Sequence, residues 1–264
     1  MPAEARDAAS LILLRDRPSG GGVEVLMVKR HARSGFAGDM QVFPGGAVDE
    51  GDCGEGMAGL CDGLGVEEAM SIISNAPDPA RALGFFVAAI RETFEEAGIL
   101  LAREASGELV SFTGERADRF ISYRDAIREE KLSFNEMIAR EGLKLAVDSL
   151  VYFAHWITPE FSPIRFDTHF FLAPAPLHQN ALHDDFETTE HLWIAPCEAL
   201  ERSEEGDFPM LPPTIVNLMA LVRFTSVEMA LSSAEGKDVP VILPQVSFEG
   251  GRARLHLPEE QEKP

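Results

Sequence analysis

The chain has 264 residues, of which 45% are hydrophobic, and this is enough for one large domain with a buried core. A formal net charge of −21, with only two Trp and two Tyr, argues against a nucleic-acid partner, because phosphates repel an acidic surface and bases need aromatic side chains to stack on. The sequence has no apolar run of eighteen residues and no basic-then-apolar leader, so we expect a cytoplasmic protein without a membrane partner.

The first predicted elements are two strands, at the apolar runs 9–15 and 23–29, joined by a glycine-rich turn. A basic cluster follows at once, formed by Lys29, Arg30 and Arg33. In so acidic a chain we predict that these cations contact the phosphates of a small anionic substrate, since arginine can bind phosphate through two parallel hydrogen bonds. The alternative is a solvated basic patch.

A stretch at 51–76 combines glycines, acids and two cysteines with a short helical pattern at 66–73. This composition predicts a surface elaboration, and a lid beside the site is one role open to it. Three cysteines without close spacing are present in the chain: Cys53, Cys61 and Cys197. We interpret them as reduced structural residues, with a zinc site as the alternative.

Residues 78–98 carry the clearest helix signal. Asp78 and Pro79 suit a helix start, and Gly98 suits a helix end. Apolar residues recur at spacings of four, three and four and define a core-facing side: Leu83, Val87, Ile90 and Phe94. Three carboxylates cluster on the opposite side: Glu92, Glu95 and Glu96. Such carboxylates repel one another unless a divalent cation joins them, so this side is either a solvated acidic face or a metal site.

The later part of the chain is predicted to contain both helices and strands. The patterns predict helices within 115–145, at 196–202 and at 214–231, and strands at 150–157, at 165–172, around Trp193 and in a hairpin at 239–257. The stretch at 115–145 is interpreted as a cap or a dimer surface. Because no break in composition divides the chain, we predict one domain at 8–264, with insertions at about 53–83 and 105–147 and an extension at about 211–257.

The segment Arg91-Glu92-Thr93-Phe94-Glu95-Glu96-Ala97-Gly98-Ile99 resembles the second half of the sequence box of Nudix hydrolases. Phe43-Pro44-Gly45-Gly46 is similar to the glycine that opens this box. Forty-four residues separate the two halves here, where the usual box has thirteen, and Asp52 stands in the place of the box glutamate. A branch of the family with a long insertion inside the box includes peroxisomal coenzyme A diphosphatases of animals. The segments Trp156-Ile157-Thr158-Pro159 and 165–171 resemble that branch.

This resemblance implies an α/β fold, a Nudix-type α/β/α sandwich with a mixed central sheet and helical insertions. It implies that Glu92, Glu95 and Glu96 hold Mg²⁺ or Mn²⁺, with a backbone carbonyl of Gly45 or Gly46 as a further ligand. Arg91 joins the three glutamates as a catalytic residue that orients one of them. For Asp52 the implied role is that of an outer-shell ligand, although its side chain is one methylene shorter than that of the usual glutamate.

The resemblance also implies the reaction, which is metal-dependent hydrolysis of a diphosphate linkage in a nucleotide-type substrate. The base that takes the proton from water is one of the three glutamates or an acid of a later loop: Asp185, Glu187 or Glu190. Coenzyme A or an acyl-coenzyme A is the leading substrate, and Arg165 is a fourth candidate to bind it. The alternatives are a hydrolase of ADP-ribose or NADH and a Nudix-fold module that binds its ligand without turnover. A homodimer is left open.

Overall fold

The computed structural model describes residues 3–31, 38–179, 188–249 and 252–256. Within these ranges the strands are β1 (Ala5–Asp16), β2 (Val23–Arg30), β3 (Gln41–Val42), β4 (Gly45–Ala47), β5 (Ala102–Arg103), β6 (Lys144–Leu145), β7 (Val151–Ile157), β8 (Arg165–Pro174), β9 (Thr188–Ile194), β10 (Val241–Ile242), β11 (Gln245–Glu249) and β12 (Arg252–His256). The helices are α1 (Val66–Ile72), α2 (Pro79–Ala97), α3 (Glu115–Arg128), α4 (Phe134–Arg140), α5 (Pro196–Glu205), α6 (Pro212–Leu221) and α7 (Val227–Ala234).

One mixed sheet organises the molecule. Its strand order is β10-β7-β8-β1-β2-β3, with β4 also paired to β1 and β9 also paired to β2. β1 runs parallel to β8 and antiparallel to both β2 and β4. The first strand of the chain therefore lies at the centre of the sheet and carries the glycine-containing strand β4. It begins at Ala5, earlier than the run at 9–15 predicts.

Helices cover both faces of this sheet. On one face α2 packs on β8, where the ring centroids of Phe86 and Phe171 are 4.6 Å apart. On the other face α5, α6 and α7 enclose a second core that includes Trp156 and Leu218. Burial on both faces explains the continuous apolar run at 11–14 in β1, because neither side of that strand meets water. The predicted α/β/α sandwich with a mixed central sheet is confirmed.

Helix α2 begins and ends where its capping residues predict. The carboxylate of Asp78 accepts a hydrogen bond from the backbone N–H of Arg81 at 2.8 Å, and Gly98 ends the helix in the left-handed conformation, with φ of 68°. The four residues of the predicted apolar side are all buried: Leu83, Val87, Ile90 and Phe94. Most other residues of α2 are buried as well, including Glu96, so the helix is enclosed on more than its apolar side.

The helix predicted at 214–231 is wrong as one element, because the structure divides it into α6 and α7. Ser226 adopts an extended conformation before α7, and its hydroxyl accepts a hydrogen bond from the N–H of Met229 at 3.2 Å. The N–H of Val227 is held by Asp16 of β1 at 2.8 Å. The side chains of Ser226 and Asp16 thus accept hydrogen bonds from N–H groups in the first turn of α7. These bonds favour the start of a new helix over continuation of α6. The strands of the predicted C-terminal hairpin are present as the antiparallel pair β11 and β12.

The segment predicted as a surface elaboration contributes side chains to the core, so that expectation is wrong for its apolar residues. Met57, Ala69 and Ile73 are buried in the cluster that also contains α2. α1 packs directly against α2, which follows α1 closely in sequence. Short amphipathic elements need a neighbour to bury their apolar side, and the long helix provides one.

The second helical stretch also reaches the core. Phe120 of α3 and Phe134 of α4 are buried, and their ring centroids lie 6.2 Å and 6.1 Å from that of Phe94 on α2. The guanidinium Nε of Arg124 on α3 donates a 2.7 Å hydrogen bond to the carbonyl oxygen of Glu95. That carbonyl lies in the last turn of α2, where no intrahelical partner exists. α3 and α4 therefore support the helix that carries the three glutamates.

Candidate active site

The glycine turn is held in place by the centre of the sheet. The hydroxyl of Ser10 and the N–H of Leu11 both donate to the carbonyl oxygen of Pro44, each at 2.9 Å. The next residues enter β4, where Gly45 lies opposite Ser10 and Gly46 lies opposite Ala9. The two hydrogen bonds to Pro44 and the pairing of β4 with β1 fix the position of the two glycines beside β1.

A side chain at Gly45 would meet backbone atoms, and a side chain at Gly46 would require the Glu92 carboxylate to move. A Cβ atom on Gly45 would lie 2.5 Å from the carbonyl oxygen of Ala9, and one on Gly46 would lie 2.5 Å from Cδ of Glu92. The N–H of Gly45 donates to Oε2 of Glu96 at 2.9 Å. The structure thus brings the two halves of the interrupted box into direct contact across forty-four intervening residues.

Arg91 connects the site to the first insertion. Its Nε and Nη2 atoms donate to the two carboxylate oxygens of Asp52 at 2.9 Å and 3.0 Å. Its Nη1 atom lies 2.9 Å from Glu92 Oε1 and 3.4 Å from Glu95 Oε1, so the predicted contact between Arg91 and a helix glutamate is present. Burial acts to lower the pKa of Arg91, but the charges of Glu92, Asp52 and Glu95 outweigh burial and raise it. The guanidinium is therefore charged at every working pH and holds the two glutamates side by side.

Asp52 contacts the glutamates through Arg91, and its predicted outer-shell role stays a prediction. Its side chain is buried, and besides Arg91 it accepts a 2.8 Å hydrogen bond from the backbone N–H of Asp49. Both carboxylate oxygens therefore have partners within the protein. The signal that sequence reasoning passed over is the pair of acids at Asp49 and Asp52, whose spacing of three residues suits the start of a short helical turn.

The donor set suits a divalent cation that prefers oxygen. Glu92 and Glu96 line one cavity together with Gly45 and Gly46, and Glu95 shares Arg91 with Glu92. Carboxylate and backbone carbonyl oxygens are the ligands that Mg²⁺ and Mn²⁺ prefer. The close approach of Gly46 to the Glu92 carboxylate brings a backbone segment to the same place as the acids. Glu92, Glu96 and the two glycines therefore fit a divalent ion with these preferences.

The cavity beside these residues has a volume of about 540 Å³. Its lining includes the two glycines and the two carboxylates. It also includes many aromatic, proline and leucine side chains: Phe43, Trp156, Phe161, Phe166, Phe170, Leu211, Pro212 and Pro213. Among the described residues that line it, the basic ones are Arg6 and Arg30. Arg6 lies in the stretch that sequence analysis left outside the domain, which explains why it was missed.

A second cavity, also of about 540 Å³, is lined by Arg91. Its lining includes Glu95 and Asp52 as well as Arg124 and Arg128 of α3. The three glutamates are therefore not all directed into one space. Glu92 and Glu96 face the apolar cavity, whereas Glu95 faces the polar one.

The predicted substrate-binding cations separate in the structure. Arg30 lines the apolar cavity, while the ammonium group of Lys29 lies 3.7 Å from the Glu190 carboxylate on the neighbouring strand. Arg165 donates to the carbonyl oxygens of Thr158 and Ala3, at 2.9 Å and 2.7 Å, and is not among the described lining residues. Three predicted residues lie outside the described part of the chain: Arg33, Asp185 and Glu187.

Comparison with known proteins identifies the family. The NUDT19 Nudix domain matches residues 5–221. The acyl-coenzyme A diphosphatase NUDT19 of Gallus gallus is 31% identical over 262 residues, and the protein of the same name from Homo sapiens is 26% identical over 268 residues. These alignments cover 84% and 85% of this chain. They cover 69% and 70% of the two relatives, and 61% of the Xenopus laevis protein of that name.

A solved structure agrees with these matches. The crystal structure of a NUDIX hydrolase from Alicyclobacillus acidocaldarius superposes with a TM-score of 0.68 at 29% sequence identity. The superposition covers 89% of this chain and 99% of that one. The chain therefore belongs to the Nudix hydrolases, within the group defined by the NUDT19 Nudix domain, and is an enzyme of that family. Across the helices of the described part, none is long and apolar enough to cross a membrane.

Proposed function

We propose that this chain is a metal-dependent diphosphatase that hydrolyses coenzyme A or an acyl-coenzyme A at its diphosphate linkage. The observation that carries the proposal is one cavity whose lining combines Glu92, Glu96 and the two glycines with a large share of apolar side chains and with two arginines. An acyl-coenzyme A also combines a charged part with an apolar one. Its diphosphate would contact the polar residues of the cavity, and its long arm of low charge would contact the apolar ones. Relatives named acyl-coenzyme A diphosphatase support this substrate class.

The chain's own groups set up the reaction. Arg91 holds Glu92 and Glu95 in fixed positions, and the N–H of Gly45 holds Glu96. When bound, Mg²⁺ or Mn²⁺ neutralises charge on the diphosphate and lowers the pKa of bound water. The base is one of the three glutamates or an acid of the later loop. Of those loop acids, Glu190 lies close to Lys29.

The basic residues of the cavity account for recognition of phosphate. The diphosphate is attacked beside Glu92 and Glu96, where the metal ion would neutralise its charge. The 3′-phosphate of coenzyme A therefore needs positive charges other than that ion. Arg30 and Arg6 line the same cavity and offer guanidinium groups for this contact. Lys29, Arg33 and Arg165 remain predicted contacts from the sequence.

The first experiment compares coenzyme A, an acyl-coenzyme A, ADP-ribose and NADH as substrates with Mg²⁺ or Mn²⁺. We expect the two coenzyme A compounds to have the highest kcat/KM. Glu95→Gln keeps the size of the side chain but removes one charge, so it should lower turnover by orders of magnitude with the fold intact. ADP-ribose or NADH as the best substrate would favour the alternative hydrolase. No turnover on any of the four would favour a binding module.

The second experiment tests the phosphate contacts. We expect Arg30→Gln to raise KM for coenzyme A about 10- to 100-fold, the value of one lost charge-assisted hydrogen bond. Dephospho-coenzyme A should be affected much less, because it lacks the 3′-phosphate. Arg202→Gln is the matched control, since that guanidinium pairs with Asp207 and is not among the described residues that line the cavity. Equal losses on both substrates would assign Arg30 to the diphosphate.

The identity of the ion, a cytoplasmic location and a homodimer are parts of the same proposal that rest on the sequence. Kinetics with each ion, microscopy of the tagged chain and light scattering test them separately.

A further inference from the structure

A second group of chemically active side chains lies away from the candidate active site, on adjacent strands. His155 of β7 is paired directly with His169 of β8, and Asp167 lies two residues from His169 on the same strand. Side chains alternate between the two faces of a sheet, so these three share one face. Their neighbours Trp156 and Thr168 line the apolar cavity, which places the three on the opposite face, beneath α2.

The three side chains converge on one point. Each offers a ligand atom, and these atoms all lie within 4.8 Å of one another. Nε2 of His155 contacts Oδ1 of Asp167, and Nε2 of His169 lies 3.7 Å from the same oxygen. Both imidazoles therefore direct the same ring nitrogen toward the carboxylate.

The other ring nitrogen of each histidine is occupied. Nδ1 of His169 lies 2.8 Å from the hydroxyl of Tyr152, and Nδ1 of His155 lies 3.4 Å from the side-chain amide of Asn75. Nε2 of each histidine can bind an ion only if Nδ1 carries the ring proton and donates it. The Tyr152 hydroxyl can accept that hydrogen bond, and the Asn75 amide accepts it with its oxygen, rather than its nitrogen, turned toward His155. The packing of Phe85 against His169, with ring centroids 3.9 Å apart, restricts that ring further.

The burial of the two histidines and the partial exposure of Asp167 also suit a bound metal ion. The two imidazoles are 1% and 2% exposed, which keeps competing water away from their nitrogens. The Asp167 side chain is 25% exposed and provides a path from solvent. Two imidazole nitrogens with one carboxylate oxygen form a donor set for Zn²⁺ and similar transition ions, unlike the oxygen donors of the glutamate site.

We propose that His155, Asp167 and His169 form a second metal site, selective for Zn²⁺ or a related imidazole-binding ion, which ties β7 and β8 together under α2. The site is separate from the hydrolytic one and does not depend on the proposed reaction. Without the ion, the same groups are held by the hydrogen bonds described above. Metal binding therefore distinguishes the proposed site from a hydrogen-bonded network alone.

The test uses the full chain after removal of metals with a chelator. We expect one Zn²⁺ per chain to bind by calorimetry in Glu95→Gln, in which the glutamate site is weakened. His169→Gln should abolish this binding, and it should remove the rise in Tm that Zn²⁺ causes. Bound Co²⁺ should show the intense visible absorption of a low-coordinate site with nitrogen donors. Tyr152→Phe, which keeps the ligands, should weaken Zn²⁺ about 10- to 100-fold.

Three results would overturn the proposal: no Zn²⁺ bound in Glu95→Gln, unchanged binding in His169→Gln, or a Co²⁺ spectrum typical of oxygen donors only. If His169→Gln does not fold, the wild-type Co²⁺ spectrum and the affinity of Tyr152→Phe decide the question. Loss of hydrolysis in Glu95→Gln with Zn²⁺ binding retained would support both sites, because each would then respond to its own ligands.

Discussion

At the scale of residues, the site depends on one buried cation shared by several acids. Arg91 has a side chain only 9% exposed, yet it contacts Asp52, Glu92 and Glu95. The geometry with Asp52 is bidentate, which sets the plane of the guanidinium and leaves Nη1 for the helix glutamates. An aspartate in the insertion thus determines the position of glutamates that lie about forty residues further along the chain.

We predict that Asp52→Asn lowers the free energy of unfolding by about 1–3 kcal/mol, because a buried guanidinium loses its closest counter-charge but keeps Glu92. Turnover should fall as well, since Arg91 would no longer be held. Asp49→Asn is the control, because its carboxylate is 68% exposed and 3.6 Å from Arg91. That change should cost less than about 1 kcal/mol in urea denaturation. Equal losses in both variants would contradict the role given to Asp52.

Gly46→Ala should reduce kcat/KM about 100-fold, because the added methyl group would overlap the Glu92 carboxylate and displace it. The measurement is steady-state kinetics together with Mn²⁺ titration. Gly59→Ala is the matched control, since a Cβ atom there meets no atom within 4 Å. Normal activity in Gly46→Ala would mean that Glu92 has another position compatible with catalysis.

At the scale of elements, α2 is supported by both insertions. α1 packs along it from one insertion, and α3 from the other contributes Phe120 to its apolar side and Arg124 to its last turn. A helix that bears three carboxylates needs such support, because like charges three and four residues apart weaken it. The insertions therefore belong to the core that positions the site.

The two adjacent isoleucines at the end of α1 test this view. Ile73 is fully buried, and Ile72 is 43% exposed. We expect Ile73→Ala to lower the free energy of unfolding by about 2–4 kcal/mol, through lost burial and the cavity left behind. Ile72→Ala should change it by less than about 1 kcal/mol. The same small effect in both variants, measured by denaturant unfolding, would restore the interpretation of this stretch as surface elaboration.

At the scale of the whole molecule, we expect stability to depend on cations, because the chain has a net charge of −21 and the glutamate site is proposed to bind a divalent ion. An ion that binds only the folded chain stabilises it by mass action, by about 2.7 kcal/mol at one hundred times its Kd. For a domain of this size, that corresponds to a rise in Tm of about 5–10 °C.

We predict that Mg²⁺ raises Tm of the chelator-treated chain by this amount, and that the rise is largely lost in Glu92→Gln. Scanning calorimetry at equal ionic strength separates binding from general screening, because NaCl screens surface charges in both proteins alike. An equal rise in the variant would show that Mg²⁺ acts through the overall charge.

The sequence by itself determined the parts that depend on near neighbours in the chain. The caps of α2, its apolar and acidic sides and the strands on either side of 18–22 follow from side-chain spacing and from residues such as Asp78 and Gly98. The pattern of the interrupted box also indicated the correct family and fold.

Only the tertiary structure decided which distant residues meet. The pairing of β1 with β8 brings Arg6 beside residues more than 150 positions away, and no local pattern specifies that register. The contact of Asp52 with Arg91, the burial of Ile73 and the hydrogen bond from Arg165 to the carbonyl oxygen of Ala3 likewise depend on how the layers pack together. The physical reason is that helix starts and amphipathic sides are set by interactions within a few residues, whereas a site is assembled by the packing that buries those sides against one another.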